Sequence, residues 1–344
     1  MNPELYHYQL PKELIATAPA EPRDHSRLFI YDTATGKITF DYFYNLAAHL
    51  PSDAFLVFNT TKVVPARLAV KKETGGKAEL LLMVNELRPG DRLIKGLSDR
   101  KLTVGQKLSI DAEHALLVDH QDEKVFFFRP LFPIEKLETV LLAAGITPIP
   151  KYIGNTGLTE DALRQRYQSI FAQNSGSIAA PTASLHFTQD VFDSLKKKAI
   201  PHLEVTLHVG LGTFAPIDQH NIDEKKLHQE WYELSEPNTT QLASYKTAGR
   251  KCFAVGTTSV RTLESYGRSG TPHGFTDIFI YPPYSFHYVQ GMITNFHLPD
   301  SSLMMLVEAF LQSKNAPHHL KDLYEIALKK RFRFYSFGDA MVIL

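Results

Sequence analysis

Three histidines in the second half of the chain stand where an apolar or β-branched run gives way to a turn. They are His186 in AAPTASLHFT, His208 in VTLHVGLGTF and His297 in ITNFHLPDSS. Imidazole exchanges a proton near neutrality, so residues placed like this are candidates for acid–base work. A single such histidine is as easily a hydrogen-bonded core residue. Several on one sheet edge, beside Gly, Thr or Pro, argue for a site. GTTSVRTLE adds a glycine turn opening into a helix whose first turn carries Thr257, Thr258 and Ser259, with Arg261 close behind. Free backbone N–H groups and hydroxyls there suit an anion or a ribose, although threonines at such a position also serve as plain helix caps. The turn lacks the lysine and spacing of a P-loop and the glycines of a dinucleotide fingerprint. HQEWYEL supplies His228 and Glu230, an acid–base pair by type, beside the lone tryptophan. Asn295 shares the run with His297. Arg23, Ser26 and Arg27 lie in a Pro-stiffened polar loop that reads either as a solvated turn or as an anion-binding loop. Three histidines also raise an open zinc site. No His-x-x-x-His spacing occurs and the segments hold few carboxylates, so no metal is expected.

These groups need elements to hold them. Between His186 and His208, TQDVFDSLKKKAI carries Thr188 as an N-cap, apolar residues at helical spacing and lysines in the last turn. A strand, this helix and the strand HLEVTLHV would form a crossover with parallel strands, leaving both histidines at carboxyl ends where ligands bind in open α/β sheets. Residues 66–133 differ in character. ARLAVKK, AELLLMV, DRLIKGL, QKLSI, ALLVDH and KVFFFRP are short alternating runs split by turn signals, the pattern of a small antiparallel barrel. IEKLETVLLAAG reads as a helix closed by Gly145 at its C-terminal cap. LTEDALRQRYQSIFAQ is another helix, capped by Thr159. A polar helix near 236–249, the strand KCFAV, the helix TSVRTLESYG, two further strands and two closing helices lead to FRFYSFGDAMVIL, expected as a final strand pair. The expected architecture is an α/β main domain with a mixed or parallel sheet, formed by 1–65 and 149–344, plus an inserted small antiparallel β-barrel at 66–148.

Composition narrows the class. Lys+Arg and Asp+Glu balance at 37 each, which argues against a protein that coats nucleic acid indiscriminately. Within Ala66–Ile110, however, ten Lys/Arg face five Asp/Glu, and 111–124 reverses the sign. That asymmetry marks either an oriented electrostatic face or an ordinary solvated surface. A single cysteine, Cys252, allows no intrachain disulfide and fits a reducing cytoplasm. The amino terminus has no signal-peptide pattern, and the greasiest run, LMMLVEAFL, is too short to span a bilayer.

LPKELIATAPAEPRDHSRL, FNTTKVVPARL, AAPTASLHFT, VTLHVGLGTF, AVGTTSVRTLE, FTDIFIYPPY, ITNFHLPDSSLMMLV and FRFYSFGDAM occur in this order through nearly the whole chain. Together they resemble the S-adenosylmethionine:tRNA ribosyltransferase-isomerase family of the queuosine pathway. The resemblance implies an α/β domain with an inserted barrel, and a reaction without metal. In that reaction the ribosyl part of S-adenosylmethionine moves to the 7-aminomethyl-7-deazaguanine base of a tRNA anticodon, giving epoxyqueuosine and releasing adenine and methionine. S-adenosylmethionine is then a substrate, with no bound cofactor, and a cytoplasmic monomer is expected. On this reading His186, His208, His297 and Glu230 are the acid–base or electrostatic candidates. Arg23, Ser26, Arg27, Asn59, Arg67, Thr182, Thr257, Thr258, Ser259, Arg261 and Asn295 bind substrate, and Lys71, Lys72 and Lys101, with Arg67, meet tRNA phosphates. The chain departs from the family pattern at Thr60, Ser184, Ala215, Gln229 and Pro283, where the family has an acid or amide, Gly, Arg, a small residue and Gly. A divergent relative that binds tRNA without catalysis is the alternative these departures leave.

Overall fold

A computed structural model describes residues 6–210 and 219–344, in which the apolar runs of the sequence become strands. Before the barrel come β1 (Arg27–Tyr31), β2 (Ile38–Tyr42), β3 (Ala54–Asn59) and β4 (Thr61–Val63). The barrel holds β5 (Arg67–Lys72), β6 (Lys77–Leu82), β7 (Ile94–Ser98), β8 (Lys107–Ser109), β9 (Ala115–Asp122) and β10 (Val125–Pro130). After it follow β11 (Asn174–Ser177), β12 (His202–Leu207), β13 (Lys226–Glu233), β14 (Lys251–Val255), β15 (His273–Ile278), β16 (Val289–Asn295) and β17 (Ala340–Ile343).

Among the described residues, nine strands form one mixed sheet in the order β15-β13-β12-β3-β14-β16-β17-β1-β2. Every residue of β3, AFLVFN, is buried, as expected for a central strand covered on both faces. Its side chains alternate between two cores. Phe55 and Val57 join the larger one, while Leu56 and Phe58 join the smaller one on the opposite face. β12, β3, β14 and β16 run parallel, so their carboxyl ends share one edge. Asn59 ends β3, His208 follows β12, Gly256 follows β14, and Asn295 ends β16 two residues before His297.

The barrel closes in the order β10-β7-β6-β5-β8-β9, with antiparallel neighbours throughout. Leu68 and Val70 of β5 point inward while Ala69 and Lys71 face solvent. The chain enters and leaves it side by side, because Arg67 and Ile146 exchange backbone hydrogen bonds of 3.3 and 2.7 Å.

Four expectations are corrected. The crossover preceding β12 does not form. The polar segment β11 pairs instead with β4 in a separate two-stranded sheet, and His186 lies in a 3₁₀ turn, Thr182–His186, rather than at a strand end. LTEDALRQRYQSIFAQ is helical only over Glu160–Arg166, although Thr159 does cap it. The carboxyl terminus gives one strand, β17, and an isolated bridge from Ile15 to Phe334, not a strand pair. Gly145 does not end its helix in the left-handed region, since its φ is −81°. It is needed for space: a Cβ there would stand 1.9 Å from the Pro65 carbonyl oxygen.

Candidate active site

A narrow cleft opens along the carboxyl edge, walled by Thr182, Thr257, Thr258, Asn295, His297 and Tyr335 among others. Two helix starts and two loops meet there because β14 and β16 are parallel neighbours. The helix Thr257–Ser269 begins from Gly256 at φ 85°, a backbone state that glycine takes without strain, and no side chain caps its first turn. Thr257 and Thr258 therefore face the cleft uncommitted to capping. Ser259 does not join them, since its hydroxyl donates to the Val255 carbonyl at 2.7 Å.

His186 stands behind this wall, fully packed against Phe43 at 5.1 Å between ring centroids. Its two nitrogens are held at opposite ends. Nε2 lies 3.2 Å from Asn295 Nδ2, and Nδ1 lies 2.9 Å from Ser26 Oγ. The Asn295 amide is oriented by Thr182, whose hydroxyl donates to Oδ1 at 3.2 Å, and by the Tyr335 carbonyl, which accepts from Nδ2 at 3.3 Å. An amide nitrogen only donates, so Nε2 is the acceptor and the imidazole proton sits on Nδ1. Burial, reinforced by the Arg333 and Arg23 charges, lowers the His186 pKa to about 3, which keeps this neutral tautomer.

His297 lines the cleft itself, with Nε2 2.8 Å from Thr294 Oγ1. Its backbone is clamped, the N–H donating to Tyr324 Oη at 2.8 Å and the carbonyl accepting from Tyr8 Oη. Burial lowers its pKa to about 3 as well. His208 belongs to a neighbouring cavity of about 410 Å³ that reaches Asn85, Trp231 and Phe275. Its Nδ1 meets Thr61 Oγ1 at 2.8 Å, and burial lowers its pKa to about 4. Gly176 makes room for the ring: a Cβ there would sit 2.8 Å from Nε2. The three histidines thus have separate partners and do not converge as the ligands of one ion.

Glu230 and Arg261 form an ion pair with both side chains almost completely buried. Glu230 Oε1 also accepts the Gly210 N–H at 2.8 Å. Glu230 is thus partnered by Arg261 and not by His228, the pairing that residue type suggested.

Other sequence candidates serve the scaffold in this conformation. Arg23 donates to the carbonyls of Gln168 at 2.6 Å and Gln165 at 2.9 Å. Arg27 donates to the Lys330 carbonyl at 2.8 Å and lies over the Phe332 ring at 3.9 Å. The pair therefore does not form an anion-binding loop, and Ser26 between them turns inward to His186. Asn59 clasps the ends of two parallel strands, its amide donating to the Leu207 carbonyl and its oxygen accepting from the N–H groups of Leu207 and Thr61. Arg67 pairs with Glu79 at 2.5 Å in a second junction cavity shared by the barrel and Tyr152. On the barrel, Lys71 and Lys101 are exposed, and Lys72 Nζ donates to the Lys101 carbonyl at 2.8 Å.

Among the departures, Thr60 donates to the Val205 carbonyl at 3.2 Å and Gln229 accepts from Arg88 at 3.3 Å. Ser184 is fully buried, its hydroxyl has no hydrogen-bond partner, and it is not part of the cleft wall. A side chain there does not narrow a ligand's approach. Ala215 lies outside the described residues.

Tyr335 escaped the residue-by-residue reading. It holds φ 71°, unusual for a bulky residue and costing on the order of 1–3 kcal/mol. That twist turns its carbonyl to Asn295 and its ring into the cleft, where it packs on Tyr152 at 4.8 Å. Only the motif FRFYSFGDAM signalled the segment.

An α/β sheet with a cleft on its carboxyl edge, buried neutral histidines and an inserted barrel define an enzyme-like site. Residues 4–343 match the family described as "Queuosine biosynthesis protein". The chain is 42% identical to the S-adenosylmethionine:tRNA ribosyltransferase-isomerase of Carboxydothermus hydrogenoformans, covering 98% of each. It is 41% identical to that of Gloeobacter violaceus, over 98% of this chain and 95% of the other. A crystal structure of an S-adenosylmethionine tRNA ribosyltransferase from Thermotoga maritima aligns with TM-score 0.55 and 31% identity, covering 99% and 100%. The chain belongs to this family of queuosine biosynthesis enzymes, and it is a transferase–isomerase. No helix among the described residues is long and apolar enough to cross a membrane.

Proposed function

We propose that the chain moves and isomerises the ribosyl part of S-adenosylmethionine onto the 7-aminomethyl-7-deazaguanine base of a tRNA anticodon, releasing adenine and methionine. One observation carries the reading. AAPTASLHFT, AVGTTSVRTLE, ITNFHLPDSS and FRFYSFGDAM, separated by up to about 150 residues, all contribute walls of one narrow cleft. The reaction needs a base beside the sulfonium, a proton donor for the departing adenine and fixed dipoles for the rearrangement. His297 lines the cleft and is the histidine placed to meet substrate. His186, behind the wall with Nε2 taken by the Asn295 amide, acts by holding that amide in place, and His208 serves the adjoining cavity. Thr257, Thr258 and Arg261 hold the ribose or the methionine end, with Thr182 and Asn295 setting the His186 tautomer. The barrel, through Arg67, Lys71, Lys72 and Lys101, meets tRNA phosphates. The domain limits at 66 and 148, the monomeric state and a cytoplasmic site of action belong to the same proposal.

The test is adenine release from S-adenosylmethionine with tRNA carrying the modified base. Turnover that requires this tRNA and is lost in His186→Ala supports the reading. A wild-type protein that binds the verified tRNA normally yet releases no adenine refutes it.

A further inference from the structure

The guanidinium of Arg261 is used on one side only. Nη1 meets Glu230, while Nε and Nη2 are buried without a hydrogen-bond partner. These two nitrogens lie on the same edge of the planar group and present parallel N–H bonds, the fork that accepts a carboxylate in bidentate fashion. A buried charged donor pair left unfilled is costly, so an empty fork in a side chain only 3% exposed marks a place prepared for an acceptor. Thr258, 5% exposed, also has a buried hydroxyl without a partner, and it does line the cleft.

The two residues share a helix face, three positions apart, at the uncapped N-terminus of Thr257–Ser269. Glu230, on the far side of the guanidinium, grips the N–H of Gly210, and the preceding Val209 is itself a wall of the cleft. The arginine is thus joined to the cleft lining on two sides without being part of it, through its helix to Thr258 and through Glu230 and Gly210 to Val209. Helix N-terminus, free hydroxyl and free fork all favour negative charge.

We propose that Arg261 and Thr258 form a carboxylate subsite that takes the amino-acid end of the sulfonium substrate. The proposal rests on the function given above and narrows it. Charge selects the ligand. Arg261 and Glu230 already cancel, so a bare phosphate would leave buried net negative charge, which is strongly disfavoured. A zwitterionic amino-acid head adds no net charge: its carboxylate fills the fork and its ammonium balances the second carboxylate. Glu230 therefore holds Arg261 in place and supplies the countercharge.

The test measures binding to the purified full chain by calorimetry, with S-adenosylmethionine, its decarboxylated analogue and inorganic phosphate as probes. Two charge-assisted hydrogen bonds predict about 30-fold or greater preference for the intact sulfonium over the decarboxylated one. Arg261→Lys keeps the charge facing Glu230 but loses the fork, and should reduce that preference to about fivefold or less. Thr258→Val should lower it severalfold without disturbing the ion pair. In both variants the decarboxylated analogue should lose less affinity than the intact sulfonium does. Equal binding of the two sulfonium compounds by wild type, or an unchanged preference in both variants, overturns the subsite while leaving the function standing. Phosphate competing at comparable affinity overturns the zwitterion assignment. Absence of any sulfonium binding overturns the function and the subsite together. Should Arg261→Lys fail to fold, the wild-type comparison and Thr258→Val decide the matter.

Discussion

Replacing Asn295 by aspartate changes one amide nitrogen to oxygen and tests the logic of the buried relay. In the native chain that nitrogen donates to His186 Nε2 at 3.2 Å and to the Tyr335 carbonyl. In Asn295→Asp a carboxylate oxygen faces both acceptors, and the imidazole is the partner able to respond, by taking a proton at Nε2. At 3.2 Å and an effective dielectric near 20, two unit charges attract by about 5 kcal/mol. That corresponds to nearly four decades in proton affinity. The His186 pKa should therefore rise from about 3 to about 7. Nitrogen NMR of the ring reads this directly: wild type stays neutral with its proton on Nδ1 across pH 5–8, whereas the variant titrates inside that range. Activity should follow. Turnover of the variant rises with pH through about 7 as the ring loses its proton, while wild type shows no such limb from His186. A wild-type ring carrying its proton on Nε2 would refute the assigned tautomer and the role given to Asn295.

Acid should weaken the fold through the same histidines. Their folded pKa values lie below the unfolded one, so the stabilisation is complete above about pH 6.5 and is lost as pH falls toward 3, at about 1.4 kcal/mol per pH unit for each ring. Denaturant melts at pH 6.5, 5.5 and 4.5 should show this slope, and His297→Gln should remove one ring's share. Ser184→Ala deletes a buried hydroxyl that has no partner and should raise stability by about 1 kcal/mol in urea unfolding, whereas a loss would mean that the hydroxyl is satisfied in solution. Charge removal at Lys71, Lys72 and Lys101 should lower the salt dependence of tRNA binding by about one power per lysine, measured by filter binding across salt. An unchanged slope would mean that the RNA lies elsewhere. Gly145→Ala drives a Cβ into the Pro65 carbonyl and should cost about 3 kcal/mol or more in thermal unfolding.

Local patterns proved readable and distant partnerships did not. The barrel was legible because inward and outward residues alternate along each of its strands, as in β5. Thr159 and Thr188 were legible because capping is decided within a few residues, and the start of Thr257–Ser269 because a glycine turn stands directly before it. The failed crossover turned on which strand β11 would choose, and β4 lies more than 100 residues earlier. Arg23 and Arg27 announced positive charge, but their carbonyl partners at Gln165, Gln168 and Lys330 become neighbours only in the folded chain. Glu230, on β13, and Arg261, on the helix Thr257–Ser269, each looked like a ligand group, and the packing of that helix against the sheet turned them into partners of one another. Tyr335 acts through a backbone twist, which an aromatic side chain in the sequence does not announce.

The paired backbone bonds between Arg67 and Ile146 have a bearing on ancestry and engineering. To the nine-stranded sheet, everything between those two residues is a single doorway, since both door-posts stand where a tight turn could stand instead. A gene could have acquired the barrel in one insertion without disturbing a sheet strand, and a designer could reverse that step by joining the posts with a short Gly-rich bridge. The excised body should retain the cleft's four walls while losing the lysine-bearing face, uncoupling small-molecule recognition from RNA recognition in one polypeptide.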